Sequence, residues 1–248
     1  MSSIDTADAK QYPLGHLLLL TFVPAMAVLI VKGLSRNLES LGGVAASSSY
    51  LFAEALILAS IIIIVTRIEG PLSLRNAIPY QARRGAAVLI AALIVSTVWS
   101  IYFRDHFRWQ ALSELSAWIR AHLDFWPPEF LRRPNSGYPL PEAIPLAQKI
   151  GLYVTSLLAF GTASAMQTLY FRGFLLPRMD RLGWMAPIAN SLLFVVFHLS
   201  SPWFWPQFFI FTLMWGVVTY ATRNVWPAVI SHVIFNTYGF AGAILREL

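Results

Sequence analysis

The run LGHLLLLTFVPAMAVLIV, from Leu14 to Val31, constrains the fold most, because it contains no Asp, Glu, Lys or Arg. At 1.5 Å of rise per residue a helix of this length is about 27 Å long, close to the ~30 Å hydrocarbon core of a bilayer. With no water to solvate its peptide groups, such a segment must satisfy them internally, which predicts a helix. The run is too long for the apolar stretch of a cleavable signal, and its N-terminal flank sets Asp5 and Asp8 against Lys10. A membrane span is therefore expected, not a signal peptide.

The pattern recurs. Apolar runs at about Tyr50–Val65, Ala86–Phe103, Ala147–Tyr170, Trp184–Leu199, Phe204–Ala221 and Trp226–Leu245 predict seven spans in all. Only 12% of residues are charged against 57% hydrophobic, about half the charge of an ordinary soluble domain. The expected class is an all-α polytopic membrane protein, a bundle of about seven transmembrane helices plus an interfacial amphipathic helix. Residues 1–13 form a polar tail, 14–105 hold three N-terminal spans, and 147–248 form a four-helix core. Between them, 106–146 holds the amphipathic helix and a proline-rich loop. In that segment Trp109, Leu112, Leu115, Trp118, Ile119 and Leu123 recur at helical spacing opposite Arg108, Glu114, Arg120 and Asp124, which suits a helix lying in the interface plane. A loop is expected over 32–49, with Lys32, Arg36 and the small-residue patch AASSS.

The absence of cysteine excludes disulfides, thiolate metal sites and cysteine nucleophiles. The net charge of +6 comes from basic residues beside apolar runs, a positive-inside arrangement and not a nucleic-acid surface. Lys10, Arg67, Arg75, Arg83, Arg84, Arg172, Arg178, Arg181 and Arg223 fall on the side of the N-terminus, so a cytoplasmic N-terminus is expected. The expected setting is a bacterial inner membrane, crossed several times, with the lipid bilayer as partner and no nucleic acid.

Polar side chains inside the apolar runs are costly in hydrocarbon and point to a functional interior. Gln167, Thr168 and Arg172 lie on one run, His198 on the next, and His232 with Asn236 on the last. Residues four apart share a helix face, which pairs Phe194 with His198, His232 with Asn236, and Thr168 with Arg172. A lone histidine there is as readily a ring bonded to a neighbouring carbonyl. Two, with an asparagine one turn along, suggest one shared site. Glu54 is the one acid inside a predicted span, and Glu142 stands just before the fourth.

These segments read QTLYFR at Gln167–Arg172, FVVFH at Phe194–His198 and HVIFN at His232–Asn236, with FRGFLLPR closing the first and WPAVISH leading into the third. In order, spacing and flanks they resemble the CPBP family of membrane proteins, the CAAX-protease and bacteriocin-processing group, whose motifs are EExxxR, FxxxH and HxxxN or HxxxD. The resemblance implies a membrane endopeptidase acting on membrane or lipidated peptides. In that family a glutamate activates water, one histidine assists proton transfer, and the second histidine with asparagine steadies the oxyanion. It implies Gln167, Thr168, Arg172, His198, His232 and Asn236 as the site. Both motif glutamates are replaced, and an amide has no usable basicity near neutral pH. The leading expectation is a homologue whose proteolysis is weakened or lost, with Arg172 left to extend to the interface. The alternatives are an active endopeptidase with a displaced acid such as Glu54 or Glu142, and a membrane scaffold or transporter. No cofactor is expected. A divalent metal, held if at all by His198 and His232, is disfavoured for want of a carboxylate or third good ligand.

Overall fold

A computed structural model describes residues 9–35, 43–81, 85–106, 110–123 and 144–244. Its helices are α1 Leu14–Ser35, α2 Gly43–Glu69, the single-turn α3 Leu74–Ala77, α4 Ala86–His106, α5 Gln110–His122, α6 Leu146–Thr168, α7 Ala186–Phe197, α8 Trp205–Thr222 and α9 Trp226–Ile244. From α6 the chain runs directly into a π-helical segment, Leu169–Leu175, and a 3-10 segment, Leu176–Met185, before α7. No β-strand occurs among the described residues, where an isolated bridge joins Gln81 and Asn224.

Four stretches are long and apolar enough to cross a membrane: Leu14–Ser35, Ala46–Glu69, Leu146–Phe197 and Pro202–Thr222. Large apolar side chains on their outer faces, among them Leu19, Ile30, Leu56, Ile64 and Leu158, are exposed, as they must be where lipid replaces water. The chain is an all-α integral membrane protein. Within it α6 packs between α2 and α9, α7 lies against α8 and α1, and α4 closes on α8 and α9.

Each expected apolar run carries a helix among the described residues, α-helical only over Ala186–Phe197 in the fifth, and both ends of the segment expected as the first loop are helical as well. α1 continues through Lys32 to Ser35, and α2 starts at Gly43, so the AASSS patch is helical. Small residues let two helices approach closely. Ser47 and Ser48 are buried, and the Ser48 hydroxyl bonds that of Ser156 on α6 at 2.9 Å. Nor is the polar N-terminal stretch loose from residue 9 onward. The Tyr12 amide donates to the Arg178 carbonyl at 3.1 Å, and the Gln11 amide to that of Pro177 at 2.9 Å. The amphipathic stretch is helical as α5, with Leu115 and Trp118 exposed. The proline-rich loop over 124–143, with Glu142, lies outside the described residues.

The packing centre is the π segment. Tyr170, Phe171, Arg172, Phe174, Leu175 and Leu176 are all fully buried. Phe171 meets Phe194 and Phe197 edge-on at centroid distances of 5.1 and 5.3 Å, the geometry aromatic quadrupoles favour. Gly173 lets this segment touch the residue that ends α3 and the turn between α8 and α9: a Cβ there would stand 2.9 Å from Cγ2 of Ile78 and 3.5 Å from Cγ2 of Val225.

Two polar staples hold the end of the bundle carrying residue 12. Arg178, 1% exposed, pairs with Glu69 at 2.5 Å, donates to the Phe174 carbonyl at 2.7 Å, and lies 3.9 Å over the Phe174 ring. The Tyr12 hydroxyl donates to the same Glu69, and burial together with that carboxylate pushes the phenol up to about 12, so it stays a donor. In the second staple Asp180 accepts from Tyr80 and from Arg223, the latter at 2.5 Å. Arg223 ends α8 in the left-handed conformation, φ 53°, where glycine is usual. Its contacts with Asp180 and Tyr80 offset that local strain.

Gly173→Ala should lower stability by about 1–3 kcal/mol through overpacking against the buried Ile78. Thermal unfolding in detergent measures this, and Gly173→Ala combined with Ile78→Val, which removes the Cδ1 that would stand 3.1 Å from the new Cβ, should recover part of the loss.

Candidate active site

A cavity of about 310 Å³ opens between α1, α2, α6, α7, α8 and α9. Its apolar wall is aromatic: Phe160, Phe194, Phe204, Phe208, Phe211, Trp215 and Phe235. Its polar wall carries Lys32, Glu54, Ser164, Gln167, His198, Ser200, Ser201, His232 and Asn236. Four of the residues singled out in the sequence thus line one space: Gln167, His198, His232 and Asn236. Thr168 and Arg172 do not line it and lie behind the wall.

Glu54 on α2 is 1% exposed and faces Gln167 on α6, whose Nε2 donates to its Oε1 at 2.5 Å. This joins the intramembrane acid to the position where the family motif begins. Gln167 therefore takes the partner's part beside the carboxylate and not the carboxylate's own. Its second N–H remains for another acceptor.

His198 caps α7. Its backbone leaves the helical region (φ −86°, ψ 48°), and a tight turn follows in which the Ser201 amide bonds the His198 carbonyl at 3.1 Å. The same carbonyl accepts from the Trp205 indole at 3.1 Å, which fixes the turn. His198 Nδ1 faces the Phe194 carbonyl at 2.9 Å. A carbonyl can only accept, so Nδ1 carries a proton and Nε2 is the ring's other hydrogen-bonding atom. The Phe194 and Phe208 rings hold the imidazole at centroid distances of 4.5 and 4.7 Å.

His232 is held differently. The Thr168 hydroxyl donates to the Ser164 carbonyl at 3.0 Å, so at 2.8 Å from His232 Nδ1 it accepts that nitrogen's proton. Nε2 is then an acceptor, and Asn236 Nδ2 donates to it at 3.0 Å. The other Asn236 proton goes to the Ser164 hydroxyl at 2.6 Å. Trp215 stacks on the ring at 4.2 Å and anchors itself to Ser100 and Ser231, each at 3.1 Å. Both His232 nitrogens are engaged and the ring is clamped on its face. In the resting chain it is a fixed post for Asn236.

Arg172 does not extend to the interface. The wide i→i+5 turn shifts it off the face of Thr168, and it is buried with its guanidinium 4.4 Å over the Phe194 ring and its Nη2 3.3 Å from the Thr212 carbonyl. Its Nε and Nη1 have no acceptor among the described residues. The Thr168 hydroxyl one turn back is engaged by Ser164 and His232.

The residues present do not fit a divalent metal. Both nitrogens of His232 are committed, Gln167 and Asn236 offer neutral amides, and no group of three or more His, Cys, Asp or Glu stands together among the described residues.

Three contributors were not foreseen in the sequence. Ser164 lies one turn before Thr168 on the same face, a spacing that signals a shared polar face. Trp215 gave no signal beyond its class. Lys32, expected in a loop, stands on the last turn of α1 inside the cavity.

With this geometry established, comparison with known proteins places the central segment. Residues 149–238 match the family model described as type II CAAX prenyl endopeptidase Rce1-like, a stretch that holds the three motifs. The resemblance to the CPBP group thus holds over the segment that carries the three motifs, while Glu54 and Lys32 of the same cavity lie outside it. No curated protein and no solved structure matches the chain.

Thr168→Val removes the anchor of a buried imidazole and should cost about 1–3 kcal/mol, with Thr168→Ser close to neutral. Arg172→Met should be neutral or raise the melting temperature, because it removes a desolvated charge whose Nε and Nη1 lack acceptors. Melting curves of the two variants in detergent check both signs.

Proposed function

We propose that this chain is an intramembrane endopeptidase of the CAAX type whose carboxylate is supplied by Glu54 on α2 in place of the motif glutamates at positions 167 and 168. Its setting is a bacterial inner membrane that it crosses several times, and its substrates are membrane or lipidated peptides. The observation that carries this reading is the Glu54–Gln167 contact inside a cavity shared with His198.

The chemistry is general-base hydrolysis. A water between Glu54 and His198 Nε2 attacks the peptide carbonyl, and Glu54 takes its proton. The remaining Gln167 N–H is placed to donate to the developing oxyanion, a role that rewards a donor fixed before the reaction. As the tetrahedral intermediate collapses, the carbon–nitrogen bond breaks and the proton held by Glu54 passes to the leaving amine. His198 orients the water throughout. His232 acts at one remove by fixing Asn236 and the cavity wall.

A second reading has its own support. Both Asn236 protons are engaged by His232 and Ser164, so the donor that the family resemblance assigns to the oxyanion is occupied. On that reading the chain binds membrane peptides and cuts them slowly or not at all.

The test exchanges acid and amide across α2 and α6. In proteoliposomes with candidate membrane substrates, Glu54→Gln should lower cleavage by about 10²–10⁴-fold, the usual size of a general-base contribution. The double variant Glu54→Gln, Gln167→Glu should recover part of it. Full activity in Glu54→Gln removes the proposed base. No cleavage by the unaltered chain, with cleavage appearing on Gln167→Glu plus Thr168→Glu, establishes the slow-or-inactive reading instead.

A further inference from the structure

The end of the bundle carrying residue 12 has a surface that neither the motifs nor the proposed chemistry uses. Gln11 fixes its shape. The Gln11 Nε2 donates to the Pro177 carbonyl at 2.9 Å, and its Oε1 accepts from the Arg181 amide at 3.1 Å. The Tyr12 amide bonds the Arg178 carbonyl, so residues 10–12 lie along residues 177–181. Lys10 and Arg181 therefore stand on adjoining stretches of backbone, and both are exposed.

The charges around them cancel, and these two do not. Arg178 pairs with Glu69, and Arg223 with Asp180. Neither Lys10 nor Arg181 meets a carboxylate among the described residues. Next to this pair of cations lies an apolar face. The 3-10 segment turns at Gly183, whose φ of 56° is the left-handed conformation that glycine tolerates. Leu182 before the turn and Met185 after it are exposed, and Trp184 is 65% exposed. The Trp184 ring meets Tyr220 edge-on at a centroid distance of 5.0 Å, which fixes its place. Tryptophan exposed at the end of a membrane span sits at the level of the lipid headgroups. Residues 181 and 184 are three apart, so their Cα atoms are separated by at most about 11 Å.

We infer that Lys10 and Arg181 form a binding site for the phosphate of an anionic phospholipid, with Leu182, Trp184 and Met185 against its acyl chains. A zwitterionic lipid offers the same phosphate, but it carries a cation that the two side chains repel. The bound phosphate links the N-terminal stretch to the 3-10 segment, which is continuous with the π segment. The site lies outside the cavity and holds whether or not the chain cleaves peptides.

The experiment measures the lipids retained by the full chain, using native mass spectrometry after release from nanodiscs of phosphatidylcholine mixed with phosphatidylglycerol. Phosphatidylglycerol should be preferred about thirtyfold, with each cation supplying about fivefold. The preference should fall to about fivefold in Lys10→Gln or in Arg181→Gln, and vanish in the double variant. Melting curves confirm that the variants are folded. Gln11→Ala changes no charge but releases Lys10 from Arg181, and should lower the preference as well. Arg67→Gln removes another exposed cation, from the last turn of α2, and should leave it intact. Equal retention of the two lipids, or an undiminished preference in the folded double variant, overturns the site. So does an unchanged preference in Gln11→Ala. An equal loss in Arg67→Gln would assign the effect to general surface charge and also overturn it. Loss of the preference on adding inorganic phosphate would assign the cations to a free anion and defeat the lipid assignment.

Discussion

A carboxylate buried inside a membrane bundle dictates the arrangement of everything near it. Glu54 has no bulk water to solvate it, and it is met by an amide from the neighbouring helix at 2.5 Å. That contact requires α2 and α6 to approach closely, which the small residues of both helices permit. Alanine and serine face the seam, and the Ser48–Ser156 hydroxyl pair joins it further along. A bulkier seam would separate the helices and leave an unpaired acid in hydrocarbon. The packing and the polar pair therefore support each other, since each supplies the condition under which the other is tolerable.

The two histidines illustrate how second partners divide roles between chemically identical groups. His198 ends a helix and gives its Nδ1 proton to the carbonyl one turn back. His232 lies mid-helix between a threonine, an asparagine and a stacked tryptophan, with both nitrogens taken. Their hydrogen bonds separate a ring able to orient water from a ring that orients a side chain.

Much of the fold was legible because hydropathy acts over whole segments. Every long apolar run became a helix, since a bilayer leaves the backbone no other way to satisfy itself. What was not legible depended on short-range geometry. The AASSS patch looked like a loop because serine favours caps and turns when considered alone, yet buried against another helix the Ser48 hydroxyl bonds across the seam. The pairing of Thr168 with Arg172 followed from an α-helical spacing that the π segment does not keep. Within the site, the polar residues of the three motifs were identifiable by type. That Glu54 meets Gln167 was not, because the two are separated by 113 positions and no local pattern links them.

Gln167 and Thr168 stand where the motif that the sequence resembles has glutamates. Gln167 holds an acid from another helix, and the Thr168 hydroxyl holds His232. Each replacement has a specific partner at hydrogen-bond distance inside a shared cavity. Burying an unsatisfied polar group costs more than burying a methyl, so the packing at both positions depends on these partners. Arg172 differs: behind the wall its Nε and Nη1 have no acceptor among the described residues.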